Sequence, residues 1–248
     1  MTDPKNISLK ETRELLHSLM EDMRDAAFPD WGSLPEDKAE NSAISTLSVL
    51  CGEEKAELFR GRIPKIKEYL GWDVEAISRN DPAASSTREI VFCYPAVTAM
   101  LHYRVAHELL LLGVDVLPRM ITEYAHSITG IDIHPEAKIG HHFAIDHGTG
   151  VVIGQTAIIG NNVTLYQGVT VGARNFKYDE NGLPQNLPRH PIIEDGVTVY
   201  SNASLLGRIT IGEGSIIGGN VWLTHSVPPR SKVLQGRIQE QFEGGAGI

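Results

Sequence analysis

The sequence predicts an α+β protein in which an N-terminal helical bundle is followed by a parallel β-helix with one extruded loop. Three observations predict it. Apolar residues recur at helical spacing up to residue 129, and every six residues from 130 to 232. One polar stretch interrupts the second pattern. The domains expected are therefore 1–129, helical and oligomerising; 130–232, β-helical and bearing the candidate site; and 233–248, a flexible tail. At 248 residues the chain is long enough for one large core or two small ones.

The formal net charge of −9 argues against a nucleic-acid partner, which needs a broad basic surface. A few local Lys and Arg residues still suffice for an anionic small ligand. No apolar run approaches the roughly 20 residues needed to cross a bilayer. The start, MTDPKNISLKETRELL, has no apolar signal core and no small-residue cleavage site. A cytoplasmic protein with no membrane contact is expected. Cys51 and Cys93 form no close metal-type pair and read as free thiols.

In the helical half, Ser8 and Glu11 form an S-x-x-E capping box. Leu15, Leu16, Leu19, Met20 and Met23 follow at helical spacing. A second helical stretch carries Leu47, Leu50, Ala56 and Leu58, and a third carries Ile66, Tyr69 and Leu70. Asn80-Asp81-Pro82 breaks the pattern, because the residue before proline avoids the helical region. Ser86 and Glu89 open a long apolar helix running through Val91 to Leu112, with Gly113 as its stop. Pro118 suits the first turn of a last helix reaching about Ser127. The all-round apolar character of 91–112 predicts a packed bundle or a subunit interface.

After Gly130 the period becomes six. Aliphatic anchors stand at Ile133, Ile139 and Ile145, then at Ile153, Ile159, Leu165 and Val171, and then at Ile193, Val199, Leu205, Ile211, Ile217 and Leu223. A small or β-branched residue precedes most anchors by two, as at Ala137, Ala157 and Ala203. Each hexad supplies one short strand and one turn, and three hexads close a triangular coil. Successive coils stack about 4.8 Å apart as parallel strands. Separate short strands in a sandwich would not keep thirteen anchors on this spacing.

Two places depart from the period, and both carry chemistry-bearing residues. Between Ile145 and Ile153 the register slips by two, at Asp146-His147-Gly148-Thr149-Gly150. The slip pushes backbone out of the coil and presents Asp146 and His147 at its edge. A hydroxyl nucleophile needs a positioned base, and histidine suits that task at neutral pH. Asp132 precedes His147 by fifteen positions, close to one eighteen-residue coil, so the two are expected as stacked neighbours, with Asp132 fixing the imidazole tautomer. The second departure is GARNFKYDENGLPQNLPRHPI, a loop too long and polar for a coil corner. It ends in Arg189 and His190 between two prolines, and a planar guanidinium is the usual partner of a substrate carboxylate.

The repeat half resembles the hexapeptide-repeat acyltransferases, whose fold is a left-handed parallel β-helix. The stretches Asp81-Pro82-Ala83-Ala84, Tyr103-Arg104 with His107, Asp132-Ile133-His134-Pro135, Asp146-His147-x-Thr149-Gly150, Arg189-His190-Pro191 and Ser226-Val227-Pro228-Pro229 resemble, in this order, those of serine acetyltransferases. The resemblance covers roughly residues 78 to 232. It implies acetyl transfer from acetyl-CoA, the co-substrate, to the hydroxyl of L-serine, with no metal. His147 would be the general base, oriented by Asp132. Asp81 and Asp146 would hold the substrate ammonium, and Arg189 and His190 its carboxylate. Acetyl-CoA would lie between two β-helices near Ala173, Ser201 and Gly219, with Arg230, Lys232 or Arg237 as candidate phosphate contacts. The resemblance also implies a homotrimer or a hexamer built as a dimer of trimers. The tail, ending Gly244-Gly245-Ala246-Gly247-Ile248, is similar to tails that insert a terminal isoleucine into O-acetylserine sulfhydrylase, which makes that enzyme a candidate partner.

The chain departs from the family pattern in the length of its loop, in Gln155 where glutamate is common, and in Val233-Leu234-Gln235-Gly236 after the last coil. The alternatives are a hexapeptide acetyltransferase acting on a sugar or another amino-acid hydroxyl, a zinc hydratase and a non-catalytic scaffold. His141, His142 and His147 point toward zinc. Adjacent histidines on a strand face opposite ways, however, which argues against a shared metal.

Overall fold

The computed structural model describes residues 7–236. Arg237 and Ile248, with the rest of the tail from 237 on, lie outside the described residues. Among the described residues seven helices come first: α1 (Leu9–Ala27), α2 (Glu36–Cys51), α3 (Glu53–Arg60), α4 (Ile63–Asn80), α5 (Thr87–Cys93), α6 (Pro95–Leu111) and α7 (Leu117–Thr129). The Ser8–Glu11 box caps α1 in both directions. Two expected helices are each split. Gly52, at φ +91°, separates α2 from α3. Pro95 separates α5 from α6, because Tyr94 takes the extended backbone of a residue before proline. Helix α7 runs to Thr129, beyond Ser127, and stops at Gly130 in the left-handed region. Val97, Met100, Leu101, Val105 and Leu109 of α6 are at most 2% exposed. The chain's own core thus satisfies the apolar character of this segment.

The strands are β1 (Asp132–Ile133), β2 (Lys138–Ile139), β3 (Ala144–Asp146), β4 (Val152–Ile153), β5 (Ile158–Ile159), β6 (Thr164–Tyr166), β7 (Thr170–Gly172), β8 (Ile192–Ile193), β9 (Thr198–Val199), β10 (Ser204–Leu206), β11 (Thr210–Ile211), β12 (Ile216–Ile217), β13 (Trp222–Leu223) and β14 (Lys232–Val233). They form the three faces of a parallel β-helix. Face I is β1-β4-β7-β10-β13, face II is β2-β5-β8-β11, and face III is β3-β6-β9-β12-β14. The hexad anchors point inward: Ile133, Ile153, Val171, Leu205 and Leu223 of face I are all 2% exposed or less. The eighteen-residue coil is visible where Val152 pairs with Thr170 and Ser204 with Trp222. The slip is visible where Asp132 pairs with Val152. The long loop leaves from the corner between faces I and II, and pairing resumes across it, Ile158 with Ile192 and Thr164 with Thr198.

The helices close the open edge of the first coil, whose peptide groups have no preceding coil to bond. Tyr103 donates its hydroxyl to Ala137 O (2.7 Å) and accepts from Ile139 N (3.1 Å). Arg104 forks onto Asp73 with Nε and Nη2 (3.1 and 2.9 Å) and also reaches Ile139 O and Gly140 O (2.9 and 2.6 Å). Asp73 accepts the Phe143 N–H at 2.9 Å, and His107 Nδ1 donates to Pro135 O at 2.7 Å. Buried edge groups of a sheet need such partners.

Candidate active site

The site residues fall into two groups at two corners of the β-helix. The first gathers at the corner between faces III and I. His147 adopts φ +57° there, a left-handed conformation that costs a non-glycine residue energy and recurs at functional turns. In later coils the same corner holds Gly168, Asn202 and Asn220 at positive φ; these stack in line with Gly150, and His147 sits in the extra residues of the slip. The imidazole is 76% exposed, and its Nδ1 faces Asp146 Oδ1 at 3.7 Å, leaving Nε2 outward. Asp81, just past α4, lines one crevice with Tyr94, Asp146 and Thr164. Its Oδ2 accepts from the Tyr94 hydroxyl at 2.5 Å and its Oδ1 from Ala83 N at 2.8 Å. These hydrogen bonds, Tyr94's first, lower the Asp81 pKa, and that same bond pushes the Tyr94 hydroxyl up to about 12. Asn80 ties this end of α4 to the coil through Thr164 Oγ1 at 3.0 Å. Two carboxylates and an exposed imidazole thus share one corner.

The second group lies at the corner between faces I and II, where the loop returns. Arg189 Nη2 donates to Gln155 Oε1 at 2.6 Å, and Gln155 Nε2 donates to Glu136 Oε2 at 2.8 Å. Arg189 also reaches Asn186 Oδ1 (3.1 Å) and sits 5.8 Å from the Phe176 ring. His190 is 6% exposed and packs where a Cβ on Gly154 would stand, 2.0 Å from its Nε2. Only glycine leaves room for the ring there. Burial first, then the charges of Arg189, His134 and Arg208, hold His190 at about 4.

Asp132 stacks on Val152, not on His147: fifteen positions already fall short of the eighteen-residue coil, and the slip lengthens the first coil by two more at the turn that carries the histidine. No hydrogen bond or ion pair joins Asp132 to His147 among the described residues. Ser201 and Gly219 do share a corner: a Cβ on Gly219 would meet Ser201 O at 3.2 Å. Ala173 follows β7 at the other end of face I, beside the loop. His141 and His142 lie in a turn instead of a strand, so their Nδ1 atoms approach to 2.7 Å, and His147 stands at the next corner. Sequence reasoning missed Tyr94, Thr156 and Arg208, since no motif marks them.

Under the returning loop runs a cleft of about 290 Å³ lined by Arg174, Lys177, Arg189 and Arg208, with no carboxylate among its lining residues. Arg230 and Lys232, at the far end of face III, are not part of it. No helix among the described residues is long and apolar enough to cross a membrane.

The family model for bacterial transferase hexapeptide (six repeats) matches residues 190–225. A plasmid-encoded serine acetyltransferase of Synechococcus elongatus is 54% identical over 197 residues, 79% of this chain and 62% of that protein's length. The serine acetyltransferase of Bacillus licheniformis is 43% identical over 176 residues, 70% of this chain and 78% of that one. Among solved structures, serine acetyltransferase isoform 3 of Entamoeba histolytica, crystallised with cysteine, superposes with a TM-score of 0.78 at 35% identity, covering 92% of this chain and 84% of that one. With its hexad coil, its helical half and these relatives, the chain belongs to the serine acetyltransferase family.

Proposed function

We propose that this chain transfers the acetyl group of acetyl-CoA to the hydroxyl of L-serine, with His147 as general base. One observation carries the reading. Two carboxylates, Asp81 and Asp146, stand at the corner that bears the exposed imidazole, while Arg189 and His190 stand at the next corner. That charge pattern fits the ammonium and carboxylate of a free amino acid; a neutral sugar offers neither group, and an amino sugar only the first. His147 Nε2 takes the proton as the serine oxygen attacks the thioester carbon. The C–S bond then breaks, and the CoA thiolate takes a proton from the imidazolium. The basic cleft beside Ala173 supports a phosphorylated co-substrate.

The two half-sites occupy different corners of one prism, so we infer that two copies complete each site: Asp81, Asp146 and His147 from one, Asp132, Arg189 and His190 from its neighbour. Asp132 then orients His147 across the subunit boundary. Exposed Trp222 on face I (72%) and Tyr200 and Ile216 on face III (42% and 40%) support face-to-face packing in a trimer. A cleft of about 600 Å³ between α1 and α7, lined by Leu9, Leu16, Val116 and Met120, supports pairing of trimers into a hexamer. We further propose a cytoplasmic setting, and, from the resemblance of the tail, docking of Ile248 in O-acetylserine sulfhydrylase. That docking is tested by titrating the sulfhydrylase with the full chain and with a form lacking Ile248.

The test of the activity is CoA release with serine, homoserine and amino sugars as acceptors. Serine should be preferred, and turnover only with a sugar would overturn the reading. Subunit sharing is tested by mixing unfolded His147→Ala and Arg189→Ala chains and refolding them together. At a serine concentration far below the raised KM of Arg189→Ala, each should be nearly inactive alone. Random reassembly of a closed ring puts an intact pair at about one boundary in four, so about a quarter of the wild-type activity should return. No recovery would place the whole site within one chain.

A further inference from the structure

The hydroxyl of Thr156 allows a complete hydrogen-bond accounting. Thr156 sits at the corner between β4 and β5, beneath the end of the long loop. Its Oγ1 accepts the Arg189 backbone N–H at 2.9 Å and the His190 backbone N–H at 3.1 Å. A hydroxyl has two acceptor sites and one proton, so both acceptor sites are taken. Its remaining contact is His190 Nδ1 at 2.9 Å, and there the hydroxyl must donate. The Thr156 backbone N–H points at the same nitrogen, at 3.1 Å. Nδ1 therefore accepts two hydrogen bonds and carries no proton, and in the neutral ring the proton is on Nε2.

Nε2 has no hydrogen-bond partner among the described residues, and it is not one of their sealed-off polar atoms. The orphaned buried side-chain atoms among the described residues are Asp22 Oδ2, His102 Nε2, Glu108 Oε2 and Gln167 Oε1. Arg208 braces both residues, its Nη1 reaching Thr156 O and His190 O at 2.8 and 2.9 Å. The charged or titratable groups facing His190 are Arg189, His134 and Arg208.

We propose that Thr156 is a positioning residue that locks His190 as a neutral Nε2–H donor to the substrate carboxylate. This role rests on the amino-acid clamp inferred above. With the opposite tautomer, Nε2 would present a lone pair to the carboxylate and repel it. Thr156 also fixes the backbone of both clamp residues, so one residue, through its hydroxyl and its own N–H, sets the loop's landing point and the donor's identity together.

The test combines kinetics with ¹⁵N NMR of the imidazole on the full-length protein. In the wild type, His190 should show an unprotonated Nδ1 and a protonated Nε2 throughout pH 6–8. Thr156→Val should raise the serine KM about tenfold, the loss of one to two hydrogen bonds, with the acetyl-CoA KM within about twofold, and should shift the Nδ1 resonance as one of its two donors is lost, while the backbone N–H still holds the tautomer. Thr156→Ser keeps the hydroxyl and should restore both readouts. A protonated Nδ1 in the wild type overturns the proposal, as does a folded Thr156→Val enzyme with an unchanged serine KM. If Thr156→Val does not fold, the wild-type spectrum and Thr156→Ser still decide. Should serine prove not to be the acceptor, the tautomer would stand in the spectrum while the kinetic effect vanished, which separates this proposal from the activity it rests on.

Discussion

Replacing Arg104 with methionine tests the seam between the helices and the first coil. The guanidinium is buried (6% exposed) and bonds to Asp73 (2% exposed) and to the carbonyls of Ile139 and Gly140. Burial pushes the Asp73 carboxyl up, while Arg104 and the Phe143 N–H pull it back. Methionine fills much of the volume and supplies no donor. Removing one partner of a buried pair costs about 3–5 kcal/mol, and two stranded carbonyls push this case toward about 5. For a chain of this size each kcal/mol lowers Tm by about 2–4 °C, so a fall of about 10–20 °C is expected. Thermal unfolding followed by circular dichroism at fixed concentration measures it. Asp73→Leu combined with Arg104→Met should recover part of the loss, because both charges are then gone. A single-variant Tm within about 2 °C of wild type would mean that the seam does not hold the domains together.

Three other outcomes are expected. His147→Asn should cut turnover by about 10² to 10⁴ without lowering Tm, because asparagine tolerates the left-handed backbone, as it does at Asn162, Asn202 and Asn220; a less stable protein or retained turnover would contradict this. Arg174→Ala with Lys177→Ala should raise the KM for acetyl-CoA and leave that for acetyl-pantetheine, which lacks the nucleotide phosphates, unchanged; equal effects would remove the cleft from co-substrate binding. Burial lowers His102 to about 4, so folding keeps it neutral where the unfolded chain takes up a proton near pH 6.5. Its contribution, about 3 kcal/mol, is full above pH 6.5 and is lost as the pH falls toward 4. Urea unfolding at pH 7 and pH 4.5 should show that loss, and His102→Leu should shrink it.

The period of six made the β-helix legible, since a repeat fixes every strand at once. The capping residues Ser8, Ser86 and Gly113 made several helix ends legible. Gly52 and Pro95 broke helices that apolar spacing ran through, because periodicity records which face is buried and says nothing of where backbone bonds stop. The residue types of the site were legible as motifs. Their partition between two corners was not, since fifteen positions fall short of the eighteen-residue coil and the slip lengthens the first coil further, so that Asp132 stacks on Val152, beyond His147. Thr156 was invisible for a different reason: its role lies in the direction of one proton, and only a three-dimensional inventory of its neighbours reveals that.

The long loop interrupts the chain but not the coil. On its near side Val152 pairs with Thr170, on its far side Ile192 pairs with Thr210, and both steps are eighteen residues. A corner is therefore a place where evolution can insert or delete chain without renegotiating a single strand pairing. Lineages with shorter or longer loops can inherit the same core and the same catalytic corner unchanged. Selection can thus reshape what the loop covers, and which anions its cleft admits, at little risk to folding.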